Sequence, residues 1–353
     1  MITLRSSRFG AVVALVAFLS ACDEALAPGG EEPPLEEIHP LDVATYDGSG
    51  EVVHPDEATV PDGWGSGAPR RLAITPYPGG DSRYENPSVF AGRAGARWWL
   101  EPGAPNPVVL PSTGYLSDPD IVFVPELDEL RLYYRLVASG NRILLVRSRN
   151  GTAWSAPAEL LRGPNHTIVS PSIVRRGPAE WLMWTVNGGG GCTAPSASVE
   201  LRRSVDGIAW SDPEPVSLAQ AGFFPWHIEV RWLEPLGEYW ALYNVKTAGS
   251  CTTPALYLAR SADGVHWTTF GSPVLARGAI PEFAHIVYRS TFAYDAARDE
   301  VTLWYSGARH ALGAWTWRAA VQRRTRASLL GSLAATDGSP PTRADVPELE
   351  DWP

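Results

Sequence analysis

The sequence predicts an all-β chain folded as a five-bladed β-propeller, on three observations: a turn motif at a fixed interval, strand-like runs between its copies, and no convincing amphipathic helix. Ser148-Arg149-Asn150-Gly151-Thr152-Ala153-Trp154, Ser204-Val205-Asp206-Gly207-Ile208-Ala209-Trp210 and Ser261-Ala262-Asp263-Gly264-Val265-His266-Trp267 share the pattern Ser-x-(Asp/Asn)-Gly-x-x-Trp. A worn fourth copy runs from Gly92 to Trp98. The starts at 92, 148, 204 and 261 are 56, 56 and 57 residues apart, which is the signature of a repeat architecture.

Each copy reads as a turn between two strands. Asp-Gly or Asn-Gly supplies the positive φ of a tight hairpin, and the Trp opens the next strand with a large apolar face. Strand-like stretches precede the turns at 143–147, 199–203 and 255–260, and before those at 130–136, 180–186 and 238–245, dense in aromatic and branched residues. Earlier still come 120–124, 172–174 and 229–232. Four strands per repeat describe propeller blades, with a β-sandwich as the structural alternative. Blade one is expected from Val52 to Pro102 and blade five from Ile286 to Arg323. Blade five lacks the turn motif, so a strand from one chain end, not identifiable from the sequence, is expected to close the ring.

The chain has 353 residues, 44% of them hydrophobic, and 15 Trp, enough for a large core. A formal net charge of -10 with a single lysine, Lys246, leaves no basic stripe for phosphates, so nucleic acid is not an expected partner. A monomer is expected. Arg5 and Arg8 precede an apolar run from Gly10 to Leu19, too short to span a bilayer. The run ends in Leu19-Ser20-Ala21-Cys22, a lipobox-like sequence that marks Cys22 for lipidation, the alternative being an ordinary secretory signal with a chance cysteine. The expected organisation is a lipoprotein signal peptide at 1–21, a disordered acidic and Pro-rich tether at 22–50, the propeller at 51–332 and a disordered tail at 333–353. The protein is thus expected to be exported and membrane-anchored, in the periplasm or on the cell surface.

Cys192 and Cys251 lie 59 residues apart in Gly-Cys-Thr-Ala-Pro and Ser-Cys-Thr-Thr-Pro, at equivalent places of neighbouring blades. In an oxidising compartment they are expected to form a disulfide, with two free thiols as the alternative.

The first strand of each blade lines the central channel, where functional groups converge. The five candidates are His54-Pro55-Asp56, Asp118-Pro119-Asp120, Ser170-Pro171-Ser172, His227-Ile228-Glu229 and Tyr288-Arg289-Ser290. Three of the five third residues are carboxylates, where a buried strand would otherwise carry apolar groups. An Asp beside Pro also caps strands and satisfies turns, which leaves a structural role open for Asp56 and Asp118.

The acidic inner strands and the recurring turn resemble the five-bladed propeller glycosidases, the arabinanase and xylosidase group and the invertase group. Tyr84-Glu85-Asn86-Pro87-Ser88, Ser117-Asp118-Pro119-Asp120, Pro225-Trp226-His227-Ile228-Glu229 and Tyr288-Arg289-Ser290-Thr291-Phe292 are similar to an uncharacterised bacterial and phage-associated subgroup of them. The resemblance covers about residues 52–325 and implies a glycoside hydrolase acting on a polysaccharide or oligosaccharide by inverting acid/base hydrolysis. On that reading Glu229 is the acid, Asp56 the base and Asp120 the orienting group, while Ser172 stands where the family carries a third acid. Substrate contacts would come from His54, Glu85, Asp118, Trp226, His227 and Arg289. No cofactor is expected; a Ca²⁺ in the channel, as some relatives hold, would be structural. No His or Cys spacing suggests zinc. The alternative is a glycan-binding propeller lipoprotein without activity.

Overall fold

The computed structural model describes residues 34–93 and 97–334, and the five repeats in it are five antiparallel sheets around one axis. The innermost strands are Val52–Thr59, Tyr115–Val124, Val169–Gly177 and Phe224–Leu233, with Ile286–Val287 and Thr291–Asp295 together in blade five. Strands pair outward in chain order: in blade two, Tyr115–Val124 pairs with Glu129–Ala138, then Gly140–Ser148, then Ala158–Gly163. The predicted strands, their order and the blade count are all present.

The repeated turn joins the third and fourth strands and does more than reverse the chain. In blade three Ser204 Oγ accepts from Gly207 N at 2.9 Å, and Asp206 Oδ1 accepts from Ile208 N and Ala209 N at 2.7 and 2.9 Å. Blade four repeats this with Ser261, Asp263 and Gly264. Gly207 and Gly264 take φ of +72° and +77°, and a Cβ there would lie 2.8 Å from the Trp181 ring and 2.7 Å from the Trp184 ring. Each glycine carbonyl is also bonded from the preceding blade, by Tyr133 Oη to Gly207 and Trp184 Nε1 to Gly264. The motif is therefore a lock between neighbouring blades, and that is why its spacing tracks the repeat.

The core lies between the sheets. Trp184, Val186, Leu201, Tyr243 and Tyr257 fill the gap between blades three and four, and Leu242, Leu258, Phe292 and Leu303 the gap between four and five. Burial of side chains this size supplies about 1.5–3 kcal/mol each against the entropy of ordering the chain.

Ring closure comes from the N-terminal side. Ile38–Pro40 pairs antiparallel with Ala314–Thr325 as the outermost strand of blade five, with Ile38 opposite Gln322. Leu41 and Val43 follow into the core shared with Leu72, Phe90, Trp304 and Val321. The expected tether at 22–50 is thus corrected over its described part, because Ile38, Leu41 and Val43 bury apolar surface that the Glu- and Pro-rich composition conceals. At the other end the helix Arg326–Ala334 seats Leu329 and Leu333 against blades four and five, so the expected boundary near 332 falls inside an ordered element. Cys22, the signal segment 1–21 and the remainder of the tail lie outside the described residues. Cys192 and Cys251 form the expected disulfide, with Cα atoms 4.7 Å apart, and it links top loops of blades three and four.

Candidate functional site

The five inner strands place two layers of polar side chains on the axis. His54, Asp118 and Ser170 each precede a proline and each has positive φ, +56°, +50° and +54°, at a register shift where two residues face one on the partner strand. Such bulges re-aim side chains, and non-glycine residues held at positive φ cost about 1–3 kcal/mol and cluster at functional sites. Blade four has its shift one step earlier, between Pro225 and His227.

The lower layer holds Asp56, Asp120 and Glu229, all fully buried, with one oxygen from each within 4.8 Å of the others. Their bonds run mainly between blades. Asp56 Oδ2 accepts from Ile121 N at 2.6 Å and Asp120 Oδ2 from Ile173 N at 3.2 Å. Ser172 continues the pattern, its Oγ accepting from Val230 N at 2.8 Å, so the serine that departs from the glycosidase pattern serves as a clamp. Arg231 pairs with Asp56 and lies 3.3 Å from Glu229, while Arg289 donates to Glu229 Oε2 at 3.1 Å and to Pro171 O at 3.0 Å. Arg289, expected from the sequence to contact substrate, is buried and meets acids and backbone in the lower layer. Burial and the charge of Asp56 push Glu229 up to about 7, and the same two causes raise Asp120.

The upper layer holds His54, Asp118 and His227. Asp118 Oδ1 lies 3.3 Å from His54 Nε2 and 3.4 Å from His227 Nδ1, and none of these three buried atoms has a hydrogen-bond partner. Burial lowers the His54 ring to about 3 and takes His227 well below its ordinary value, so both imidazoles are neutral. Burial opposes ionisation of Asp118, but Arg135, with Nε 2.8 Å from Oδ2, leads the charges that outweigh it and hold the carboxyl well below the usual range. Two neutral imidazoles and one carboxylate, each with an unused lone pair aimed at one point, fit a divalent metal of the zinc type. The lower layer fits one poorly, since two arginines already share its carboxylates.

Supporting contacts surround the upper layer. His54 Nδ1 lies 3.2 Å from Thr75 Oγ1 and 3.6 Å from Glu85 Oε2, which leaves Nε2 for ligation, the arrangement by which outer partners orient metal-bound histidines. Glu85 accepts from Ser117 Oγ at 2.5 Å, and burial pushes it up to about 8. Tyr288 packs 4.5 Å from the His227 ring and accepts from Trp226 Nε1 at 3.4 Å. The residues expected from the sequence to contact substrate, His54, Glu85, Asp118, Trp226 and His227, lie together in the structure, next to Arg135, which the sequence reasoning missed, as it missed Arg231 below. The available signal was a lone arginine inside an apolar strand, as in Leu132-Tyr133-Tyr134-Arg135-Leu136.

No family model matches the chain. It is 28% identical over 308 residues to an A type blood N-acetyl-α-D-galactosamine deacetylase from Flavonifractor plautii, covering 72% of this chain but 40% of that protein, so it spans about two fifths of the relative's length. Among solved structures, an N-acetylgalactosamine deacetylase from F. plautii in complex with blood group B trisaccharide superposes with a TM-score of 0.74 at 23% identity, over 89% of this chain and 98% of the other. An α-L-arabinofuranosidase from Podospora anserina in complex with cellotriose gives 0.54 at 14% identity, over 81% and 95%. The fold of this chain is the five-bladed β-propeller, which these solved structures share.

Proposed function

We propose that this protein is a metal-dependent hydrolase that removes the acetyl group from an N-acetylated amino sugar in a glycan. The observation that carries the reading is the convergence of His54 Nε2, Asp118 Oδ1 and His227 Nδ1, buried and without hydrogen-bond partners. It takes the place of the metal-free acid/base site expected from the sequence. The deacetylase named above supports the choice of bond, although this chain spans only part of it.

A divalent ion, held by His54, Asp118 and His227, would supply Lewis-acid chemistry there. The chain's own residues do the rest. Thr75 and Glu85 hold the His54 ring so that Nε2 faces the axis. Glu85, pushed up to about 8 by burial, sits beside the layer, and its ionised form, whose share grows as pH rises towards that value, can take the proton of the attacking water and return it to the departing nitrogen. The water oxygen bonds to the acetyl carbon, the carbon–nitrogen bond breaks, and acetate leaves an amine on the sugar. Tyr77, Tyr115 and Tyr288, half-buried near Glu85, offer aromatic faces to a sugar ring.

Hydrolysis of a glycosidic bond is the second reading, favoured by Glu229, whose carboxyl at about 7 suits a general acid. Against it, inverting hydrolysis separates its carboxyls by about 6.5–9.5 Å to admit water. The oxygens of Asp56, Asp120 and Glu229 gather within 4.8 Å and are engaged by arginines and backbone. The proposal keeps Cys22 as a lipid anchor to the membrane, which a Cys22→Ser variant that remains membrane-bound would refute.

The deciding experiment incubates zinc-loaded and chelator-treated protein with N-acetylgalactosamine-terminated oligosaccharides. Acetate, free amine, reducing ends and bound metal are all measured. Acetate release that stops on chelation supports the proposal; new reducing ends without acetate, or protein that binds no metal, overturns it.

A further inference from the structure

We propose that Arg135 makes this a site for acidic glycans, its guanidinium fork binding a carboxylate or sulfate carried on or next to the N-acetylated sugar. The proposal rests on the upper layer being the substrate site. Arg135 lies on Glu129–Ala138 and is ion-paired on its Nε side, 2.8 Å from Asp118 Oδ2. That oxygen also accepts from Ser170 N at 3.1 Å, so Asp118 is held without the fork. Neither Nη of Arg135 has a hydrogen-bond partner among the described residues, and only Nε is sealed from solvent. Two Nη groups in one plane, ion-paired on the Nε side and not sealed from solvent, match the two oxygens of a carboxylate or sulfate.

The neighbours agree. Ser117, opposite Arg135 across the strand pair, holds Glu85, so a cation and a carboxyl flank Asp118. Tyr115, two residues earlier on the same face, is half-buried, with a hydroxyl that has no partner among the described residues. The chain as a whole carries a formal charge of -10, so long-range attraction cannot draw an acidic glycan, and selectivity has to arise at the fork.

The test measures calorimetric binding of a chondroitin hexasaccharide, alternating N-acetylgalactosamine and glucuronate, against the same hexasaccharide with its carboxylates reduced to alcohols. Full-length protein is used, with and without zinc. The acidic form is expected to bind about tenfold tighter or more, the scale of one charge-assisted bidentate pair. The ratio should fall towards one in Arg135→Lys, which keeps the charge and loses the fork. A carboxylate-free N-acetylgalactosamine oligosaccharide bearing sulfate distinguishes the two anions. Should the variant misfold, inorganic sulfate competing selectively with the acidic form on wild-type protein is the second readout. Equal binding of acidic and reduced forms by wild type, or equal weakening of both in the variant, overturns the proposal. Acetate release is followed separately: an acidic preference without it sinks deacetylation alone, and release without preference sinks only the role of Arg135.

Discussion

The two layers on the propeller axis are built by the same strands, two residues apart, and each gathers three side chains able to ligate a cation. They settle the cost of burial differently. In the lower layer charge meets charge: Arg231 and Arg289 stand among Asp56, Asp120 and Glu229, and the carboxylates reach the backbone of the next blade. In the upper layer Asp118 has one fixed cation, Arg135, and the two imidazoles turn unused nitrogens towards it. Buried acids in a channel therefore do not by themselves mark chemistry, because a set interleaved with buried arginines can be a keystone. Both layers keep buried polar atoms without hydrogen-bond partners, Asp120 Oδ1 and Glu229 Oε1 among them, so what separates the layers is the two cations already standing among the lower carboxylates and the two neutral imidazoles of the upper one.

The contrast can be broken experimentally. Asp118→Asn in the upper layer should cost the most: about 10³-fold or more in acetate release, together with loss of bound zinc by metal analysis, as expected when a ligand of a catalytic metal is removed. A variant that keeps both would erase the distinction between layers. Arg231→Met should leave zinc content intact and lower unfolding free energy by about 3–5 kcal/mol in denaturant melts, the cost of stranding a buried carboxylate. Glu85→Gln, which keeps the shape and removes the proton carrier, should lower acetate release by about 10–100-fold with only a small stability change. The smallest effect is expected for Ser172→Ala, which strands Val230 N and should cost about 1–3 kcal/mol in the same melts. Loss of activity with no loss of stability there would show that the lower layer reaches into the chemistry.

Much of the architecture was legible because its signals are local. Ser-x-Asp-Gly-x-x-Trp carries its own hydrogen bonds and a glycine that φ and the neighbouring ring both demand, so its period exposes the blades. The inner carboxylates were legible for the same reason, as charges where an apolar residue belongs. Their division of labour was not. Whether Asp56 or Asp118 meets an arginine depends on Arg231 and Arg135, which are 175 and 17 residues away, and on bulges that reposition His54 and Asp118. His54 and His227 lie on different blades with no zinc-like spacing between them, so their convergence exists only once the ring is closed. A closing strand from one chain end was expected, but its place could not be read because the three paired residues, Ile38–Pro40, sit inside a stretch whose acids and prolines dominate its composition.

That short strand governs how the protein can be handled. Ala314–Thr325 runs for twelve residues, and its outward edge is covered by Ile38–Pro40 with the bridge from Leu35 to Arg323. Expression from residue 51, where the blade pattern begins, would uncover that margin, and open strand margins recruit other chains. Such a truncation would be expected to yield self-associated material, whereas a start ahead of Leu35 preserves a sealed rim.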